Sequence, residues 1–158
     1  MVNKMNLQSI MNSLNIKYEE AEHEAVYTAK EALYIKEQIK GVGAKNLFLK
    51  SKDRYYLVLI KDEEKADLKK LEGILNCGHL SFASELELKE ILNLTRGAVS
   101  PLGLINDKEN KASLVISDAL VGEVLLMHPF VNTKTWAVKY DDLIKFVHYC
   151  NHEYLILR

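Results

Sequence analysis

Three short polar segments of the chain carry groups that could bind or activate a ligand. Lys45 and Asn46 follow two glycines at the start of a β-rich run, which places an ammonium and an amide at a strand entrance. The loop 97–103 has two glycines and a proline, and its backbone N–H groups could stabilise a developing oxyanion in acyl transfer. The segment 128–135 packs a histidine, an amide and two hydroxyls into eight residues.

Each segment also has a structural interpretation. Gly41 and Gly43 fall short of a GxGxxG or P-loop motif, since the third glycine and the GK[ST] ending are missing, and glycines after a helix commonly end it. Ser100 could be a nucleophile, but it lacks the GxSxG context and an assignable base. The segment 128–135 could be a hairpin connection whose Asn and Thr side chains satisfy the turn. The residues alone leave these alternatives open.

A metal or cofactor is not expected. His148, Cys150 and His152 would share a face if they lay on a strand, which would suit zinc. The preceding DDLIKFV pattern is helical, however, and a helix scatters these positions. Cys77 and Cys150 form no CxxC motif, so both are expected to be reduced thiols.

Composition restricts the class of protein further. With 158 residues, 48% hydrophobic and 27% charged, the chain is expected to form a single globular domain over 1–158. It has no apolar run of membrane-spanning length and no secretory pattern in MVNKMNLQSI, so we expect a cytoplasmic protein without a membrane partner. The net charge of −1 argues against strong non-specific binding of nucleic acid, DNA included, so an RNA contact would be local. The basic residues that cluster are Lys36, Lys40, Lys45, Lys50, Lys52 and Arg54.

Periodicity predicts the elements that must position these segments. An amphipathic helix ends near Asn15, and a capping box of Thr28 and Glu31 opens a second helix over 29–39. NLFLKS and YYLVLIK form an antiparallel hairpin. Further helices are predicted to be capped by Asp67, by the capping box of Ser84 with Glu87, and by Asp141. Further strands are predicted at HLSFA, SLVIS, EVLLMH and Thr135 to Tyr140, and EYLIL adds a last strand or packs as a tail. This order, without a βαβ repeat, predicts an α/β fold with a mixed, mostly antiparallel sheet and packed helices.

Taken together, the segments resemble the YbaK-type free-standing aminoacyl-tRNA deacylases, relatives of the editing domain inserted in bacterial prolyl-tRNA synthetase. The matching stretches are KNLFL at 45–49, GxxSPxGL from Gly97 to Leu104, and HPxxNTxT at 128–135. His23 through Glu31 is similar to the family's entry to its first helix, although this chain has His23-Glu24-Ala25 where HPP is frequent. KNLFL with HPxxNTxT is more similar to the branch that clears alanine from proline tRNA than to the branch that clears cysteine.

The resemblance implies a metal-independent hydrolase that removes an amino acid, alanine in the first instance, from mischarged tRNA of the proline type. Lys45 would hold the ester or the terminal ribose-phosphate, the loop N–H groups would polarise the ester carbonyl, and a positioned water, assisted by the tRNA 2′-hydroxyl, would attack. The implied catalytic residues are Lys45, Gly97, Ser100 and Pro101. The implied substrate-binding residues are His23, Thr28, Asn46, Ala98, Val99, His128, Asn132 and Thr133.

The implied partners are mischarged tRNA and, in a transient complex, prolyl-tRNA synthetase or an elongation factor. The alternative is a non-catalytic module on the same fold that senses an amino acid or a charged tRNA without turnover. Hydrolysis of a mischarged tRNA discriminates the two.

Overall fold

The structure is a computed structural model and describes residues 2–25, 35 and 37–158. Within these residues the chain forms eight strands and four α-helices. The strands are β1 (Glu19–Glu22), β2 (Val42–Ser51), β3 (Arg54–Lys61), β4 (Ser81–Phe82), β5 (Ala112–Ser117), β6 (Val124–Met127), β7 (Lys134–Lys139) and β8 (Tyr154–Leu157). The helices are α1 (Lys4–Ser13), α2 (Leu68–Leu75), α3 (Glu85–Leu92) and α4 (Tyr140–Tyr149), with 3₁₀ turns at Arg96–Ala98, Pro101–Asn106 and Asp118–Leu120.

All eight strands belong to one mixed sheet in the order β1-β7-β6-β2-β3-β5-β8, with β4 paired to β2. Four of the seven pairings are antiparallel, and β2–β6, β3–β5 and β5–β8 are parallel. The mixed sheet and the hairpin are therefore confirmed. The two-residue turn at 52–53 sets the hairpin register, in which Ser51 pairs with Arg54 and Ala44 pairs with Lys61.

Polar caps set the starts of three helices. Ser84 and Glu87 form the predicted capping box, Asp67 accepts from the Lys70 N–H, and Asn3 with Asn6 caps α1. The prediction that Asp141 caps the last helix was wrong, because α4 already begins at Tyr140 and its N-cap residue makes no side-chain bond. Asp141 instead lies in the first turn, where its charge complements the helix dipole.

The capping box of Thr28 with Glu31, and residues 29–34 and 36 of the helix predicted over 29–39, lie outside the described residues, while residues 35, 37 and 38 are helical. The segment 96–103, predicted to be neither helix nor strand, contributes to two 3₁₀ turns. The second turn forms because Ser100 caps it, accepting from the Leu102 N–H, and Pro101 has the backbone angle that a first helical residue needs. A Cβ at Gly103 would lie 2.6 Å from Leu94 Cδ1, so any other residue here would require the Leu94 side chain to shift.

The sheet is buried on both faces in its centre. Leu57 and Leu59 of β3 belong to the main core cluster, while Val58 and Ile60 belong to a second cluster that includes Leu71 of α2. This alternation is the period-two pattern of a strand covered on both sides. The same parity applies to β2, whose Phe48 and Leu49 belong to opposite clusters.

His148, Cys150 and His152, considered above as zinc ligands, lie at the C-terminal end of α4 and just beyond it. His152 is buried, with Nε2 at 3.0 Å from Asp107 Oδ2 and Nδ1 at 3.1 Å from the Cys150 carbonyl oxygen. Burial alone would raise the pKa of Asp107, but hydrogen bonds from His152 and from the Lys111 and Ala112 N–H groups outweigh it and hold the pKa below its usual range.

Among the described residues no three His, Cys, Asp or Glu side chains cluster as metal ligands would. In the same part of the chain, no helix combines the length and the apolar composition that crossing a membrane requires.

Candidate active site

A small cavity lies where the start of β2 meets the end of β6 and the start of β7. We call it the inner cavity; its volume is about 130 Å³. It is lined by Ile35, Gly43, Ala44, Asn46, Asp62, Val99, Leu126, Met127, His128 and Thr135. Pockets for drug-sized ligands measure roughly 300–1,000 Å³, so this cavity suits a group of only a few atoms.

Strand register brings the walls of the inner cavity together. The parallel pairing of β2 with β6 sets Gly43 against Leu126, and a Cβ at Gly41 would lie 2.6 Å from Leu126 Cδ2. On the other side, the hairpin register continues one step beyond β3, where the Asp62 N–H donates to the Gly43 carbonyl at 3.0 Å. The carboxylate-bearing residue Asp62 therefore borders the cavity together with the apolar residues of β6.

Asn46 gives the inner cavity a buried acceptor. Its Nδ2 lies 3.4 Å from the Ala44 carbonyl oxygen, and its Oδ1 is buried without a hydrogen-bond partner among the described residues. Turning the amide around would bring Oδ1 toward the Ala44 oxygen, where two acceptors repel, so the present orientation is the favoured one. A buried acceptor without a partner is costly, so the site favours a ligand that donates at this point.

A neutral histidine forms another part of the wall. His128 Nδ1 donates to the Lys134 carbonyl at 2.8 Å, which leaves Nε2 as the acceptor of the neutral ring. Burial lowers the pKa of His128, and the nearby charge of His23 lowers it further, against the opposing effect of the Lys134 carbonyl. The two rings are 6.0 Å apart between centroids, and His23 Nε2 accepts from the Thr135 hydroxyl at 2.8 Å when it is neutral.

The segment 128–135 folds tightly to present His128. Phe130 has φ of 69°, a conformation that a bulky side chain seldom adopts, and its N–H donates to the His128 carbonyl at 3.0 Å. Thr133 is exposed and contributes its carbonyl, which accepts from the His23 N–H at 3.0 Å. Of the polar residues predicted in this segment, His128 lines the inner cavity, whereas Thr133 acts through its backbone.

Two open grooves continue from the inner cavity. The outer groove, of about 580 Å³, is lined by Ala44, Lys45, Asn46, Arg96, Gly97, Val99 and His128. The side groove, of about 470 Å³, is lined by Glu85, Lys89, Leu94, Thr95, Arg96, Gly97 and Asn132. The outer groove shares Asn46, Val99 and His128 with the inner cavity, and it shares Arg96 and Gly97 with the side groove.

Lys45 and Asn46 both border the outer groove, but of the two only Asn46 also borders the inner cavity. Neighbours along a strand point to opposite faces, so the Lys45 side chain leaves β2 on the side away from Asn46. Its Nζ donates to the Glu64 carbonyl at 2.8 Å, and Lys45 borders only the outer groove. Glu64 is itself fixed, because its Oε1 accepts from the Lys61 N–H and the Ser117 hydroxyl, each at 2.8 Å.

The loop from Gly97 to Pro101 divides between the site and the core. Gly97 borders the two grooves, and Val99 borders the inner cavity and the outer groove. Ala98 is buried and its N–H donates to the Thr95 carbonyl at 3.0 Å. Pro101 has no N–H, so the donors that this segment could offer an oxyanion are the N–H groups of Gly97, Val99 and Ser100.

The structure corrects the nucleophile interpretation of Ser100. Its side chain is 0% exposed, and Oγ accepts from the Leu102 N–H at 3.2 Å as the cap of the 3₁₀ turn. A hydroxyl in this position cannot reach a ligand in the cavity, so its side chain has a structural role.

Of the predicted substrate-binding residues, Thr28 lies outside the described residues. Asp62, Thr135 and Arg96 border the site but were absent from the predicted set. Asp62 and Thr135 could have been found from the sequence. The predicted hairpin, continued by one residue, places Asp62 opposite Gly43, and Thr135 is the last residue of the HPxxNTxT pattern.

The fold and these compartments define a small α/β domain whose inner cavity holds a buried, unpartnered acceptor and opens toward two grooves. Residues 23–146 match the model of the aminoacyl-tRNA editing domain, and the chain belongs to this family. The resemblance drawn from the three segments is thus confirmed.

Relatives and solved structures agree with this assignment. The chain is 40% identical over 140 residues to the prolyl-tRNA editing protein ProX of Acetoanaerobium sticklandii, covering 87% of this chain and 85% of that protein. It is 32% identical over 157 residues to prolyl-tRNA synthetase associated domain-containing protein 1 of Bos taurus, covering 96% and 92%. A crystal structure of a candidate trans-editing enzyme for prolyl tRNA synthetase superposes with a TM-score of 0.74 at 19% identity, covering 98% and 96%, and shows the same fold.

Proposed function

We propose that this protein is a trans-editing hydrolase that cleaves the aminoacyl ester of mischarged proline tRNA, with alanine as its preferred amino acid. Membership of the aminoacyl-tRNA editing family and 40% identity to a prolyl-tRNA editing protein support the reaction and the tRNA. The observation that carries the choice of amino acid is the inner cavity, which combines a volume of about 130 Å³ with the unpartnered Asn46 oxygen.

In the proposed complex the α-ammonium of the amino acid donates to Asn46 Oδ1, and the Asp62 carboxylate adds a favourable negative charge on the same wall. The side chain enters the apolar part formed by Val99, Leu126 and Met127. An alanine methyl fits this space, and we expect the shape of the apolar wall, more than the cavity volume, to reject the proline ring. Size exclusion rejects larger residues strongly and distinguishes among small ones weakly, so cysteine and serine are expected as poorer but detectable substrates.

Hydrolysis then needs an oriented water and a stabilised oxyanion. The water oxygen attacks the ester carbonyl carbon, the bond to the ribose oxygen breaks, and the proton lost by the water goes to that ribose oxygen. His128 Nε2 accepts a hydrogen bond from the water, while the N–H groups of Gly97 and Val99 stabilise the oxyanion. The neighbouring hydroxyl of the terminal ribose relays the proton. The products are free alanine and uncharged tRNA.

Lys45 acts on the nucleotide side of the ester in this scheme. Its ammonium donates to a backbone carbonyl at the rim of the outer groove, and an exposed side chain can exchange that partner for the terminal ribose-phosphate. We further propose that prolyl-tRNA synthetase or an elongation factor supplies part of the tRNA selection in a transient complex, in the cytoplasm where aminoacylation takes place.

A deacylation panel tests the proposal. Ala-, Cys-, Ser- and Pro-tRNA of the proline isoacceptor are incubated with wild type, Lys45→Ala and Lys69→Ala, which removes an exposed lysine of α2. Wild type should hydrolyse Ala-tRNA fastest and leave Pro-tRNA intact. Lys45→Ala should lower kcat/KM by about 10- to 100-fold, the range for one lost charge-assisted hydrogen bond. Lys69→Ala should match wild type.

Two results would count against the proposal. Saturable binding of Ala-tRNA without turnover of any tRNA in the panel identifies a sensing module instead of an enzyme. An undiminished rate in Lys45→Ala removes the role assigned to Lys45.

A further inference from the structure

The outer groove and the side groove meet at Arg96 and Gly97. The inner cavity adjoins the outer groove, and Ala44, Asn46, Val99 and His128 border both. The three compartments therefore follow one another across the surface. A ligand whose small end occupies the inner cavity has a surface path past Arg96 for the rest of its length.

The two grooves are more basic than the chain as a whole. Among the described residues that line them, three are cationic, Lys45, Lys89 and Arg96, and one is anionic, Glu85. The net charge of the full chain is −1, so this excess is local. Such a concentration of positive charge beside an aminoacyl cavity complements a polyanion.

The Arg96 guanidinium can exchange its present partner. Its Nε lies 3.3 Å from Glu85 Oε1, and the two side chains are 78% and 69% exposed. Exposed ion pairs of this kind contribute little stability, so a stronger anion can replace the carboxylate. The planar guanidinium matches the oxygens of a phosphodiester through two parallel hydrogen bonds.

We propose that the side groove binds the single-stranded 3′ end of the RNA, with Arg96 leaving Glu85 to contact a backbone phosphate that precedes the aminoacylated nucleotide. Glu85 then competes with that phosphate for the Arg96 guanidinium. This inference rests on the proposed function, since it requires the aminoacyl group to occupy the inner cavity. It adds a site outside that cavity, with a phosphate as its ligand.

Binding of a stable substrate analogue tests the inference without relying on turnover. The probe is tRNA of the proline type carrying alanine through a 3′-amide, and its Kd is measured between about 50 and 200 mM salt. The variants are Arg96→Ala, Arg96→Lys and Glu85→Gln, with Arg54→Ala as the matched control because Arg54 is an exposed arginine at the β2–β3 turn.

Arg96→Ala should raise Kd about five- to tenfold and reduce the slope of log Kd against log salt by about 0.7, the value for one single-strand phosphate contact. Arg96→Lys should keep the salt slope, Glu85→Gln should lower Kd about twofold, and Arg54→Ala should match wild type. With 3′-O-alanyl-adenosine, which has no phosphate, Arg96→Ala should change kcat/KM far less than with Ala-tRNA.

An unchanged salt slope in Arg96→Ala overturns the inference, as does an equal loss with the adenosine ester and the tRNA. A loss seen only when prolyl-tRNA synthetase is present also overturns it, because Arg96 would then contact a protein. These results are separable from failure of the proposed function, which would appear as intact Ala-tRNA in the wild-type reaction whatever the analogue's salt dependence.

Discussion

The role assigned to Asn46 gives a prediction whose size follows from the structure. Its Oδ1 is buried and lacks a partner among the described residues, so the ammonium of an aminoacyl ester would donate to an acceptor shielded from solvent. A hydrogen bond to a charged group contributes roughly 1.5–3 kcal/mol, which is about 10- to 150-fold in kcat/KM. Asn46→Ala should therefore reduce deacylation of Ala-tRNA by about that factor.

The assay pairs the variant with a change in the substrate. Wild type and Asn46→Ala are compared on alanyl- and propionyl-tRNA, which differ only in the α-ammonium, under single-turnover conditions. If the amide binds the ammonium, the loss caused by Asn46→Ala disappears on the propionyl ester, giving a coupling free energy of roughly 1.5–3 kcal/mol. Asn46→Asp keeps an acceptor but turns an oxygen toward the Ala44 carbonyl, so its activity should lie between the two.

An equal loss on both esters would refute this reasoning. It would mean that Asn46 shapes the cavity, through its contact with Ala44 or its volume, and does not recognise the amine. A circular dichroism spectrum and urea midpoint equal to those of wild type are needed to attribute either result to the site.

Two further predictions concern titrating groups. The charge of His23 adds to burial in lowering the pKa of His128, so His23→Ala should raise that pKa and move the acid limb of kcat/KM to higher pH. The control variant His79→Ala, at an exposed histidine, should leave the limb in place. An unmoved limb in His23→Ala would exclude neutral His128 as the acceptor of the water's hydrogen bond. Asp107→Asn should lower the free energy of unfolding by roughly 3–5 kcal/mol in urea titrations at neutral pH, since it removes the buried carboxylate that pairs with His152 and accepts from the Lys111 and Ala112 N–H groups. The lowered pKa of Asp107 means that wild type loses this contribution as pH falls below the usual range for aspartate, so the difference between the two proteins should shrink in acid; a constant difference would contradict the ion pair.

Much of the fold was predictable because local chemistry decided it. The two-residue turn of the β2–β3 hairpin, the Asp67 cap and the Ser84–Glu87 box each depend on residues within a few positions of one another. The Asp141 cap failed for a local reason as well, since the helix gains a further residue at Tyr140 before the aspartate. Strand order was not predictable in this way, because the pairing of β2 with β6 joins residues about eighty positions apart.

The motifs that border the site were predictable from the sequence, but the exact set of side chains that line it was not. His128, Asn46 and Val99 reach the inner cavity as expected, whereas the Ser100 side chain is buried as a cap. Burial of that hydroxyl depends on how the 3₁₀ turn packs against the core, and no short pattern encodes that. Arg96 precedes the recognised loop by one position, and its place between two grooves follows only from the packing of α3 beside it.

The adjacency of Lys45 and Asn46 acquires its meaning from strand parity. Two consecutive polar residues in a motif suggest that both contact the same ligand group. On β2, however, the two side chains point to opposite faces of the sheet. Asn46 borders the inner cavity with its unpartnered oxygen, and the Lys45 ammonium bonds to the Glu64 carbonyl beside the outer groove. An ester linkage has two sides, an acyl group and an alcohol, and a strand edge placed at the junction of two compartments can hold one side with each residue. On the proposed function the pair would divide recognition between the amino acid and the RNA, so that a cavity of about 130 Å³ needs to hold only the aminoacyl end of the substrate.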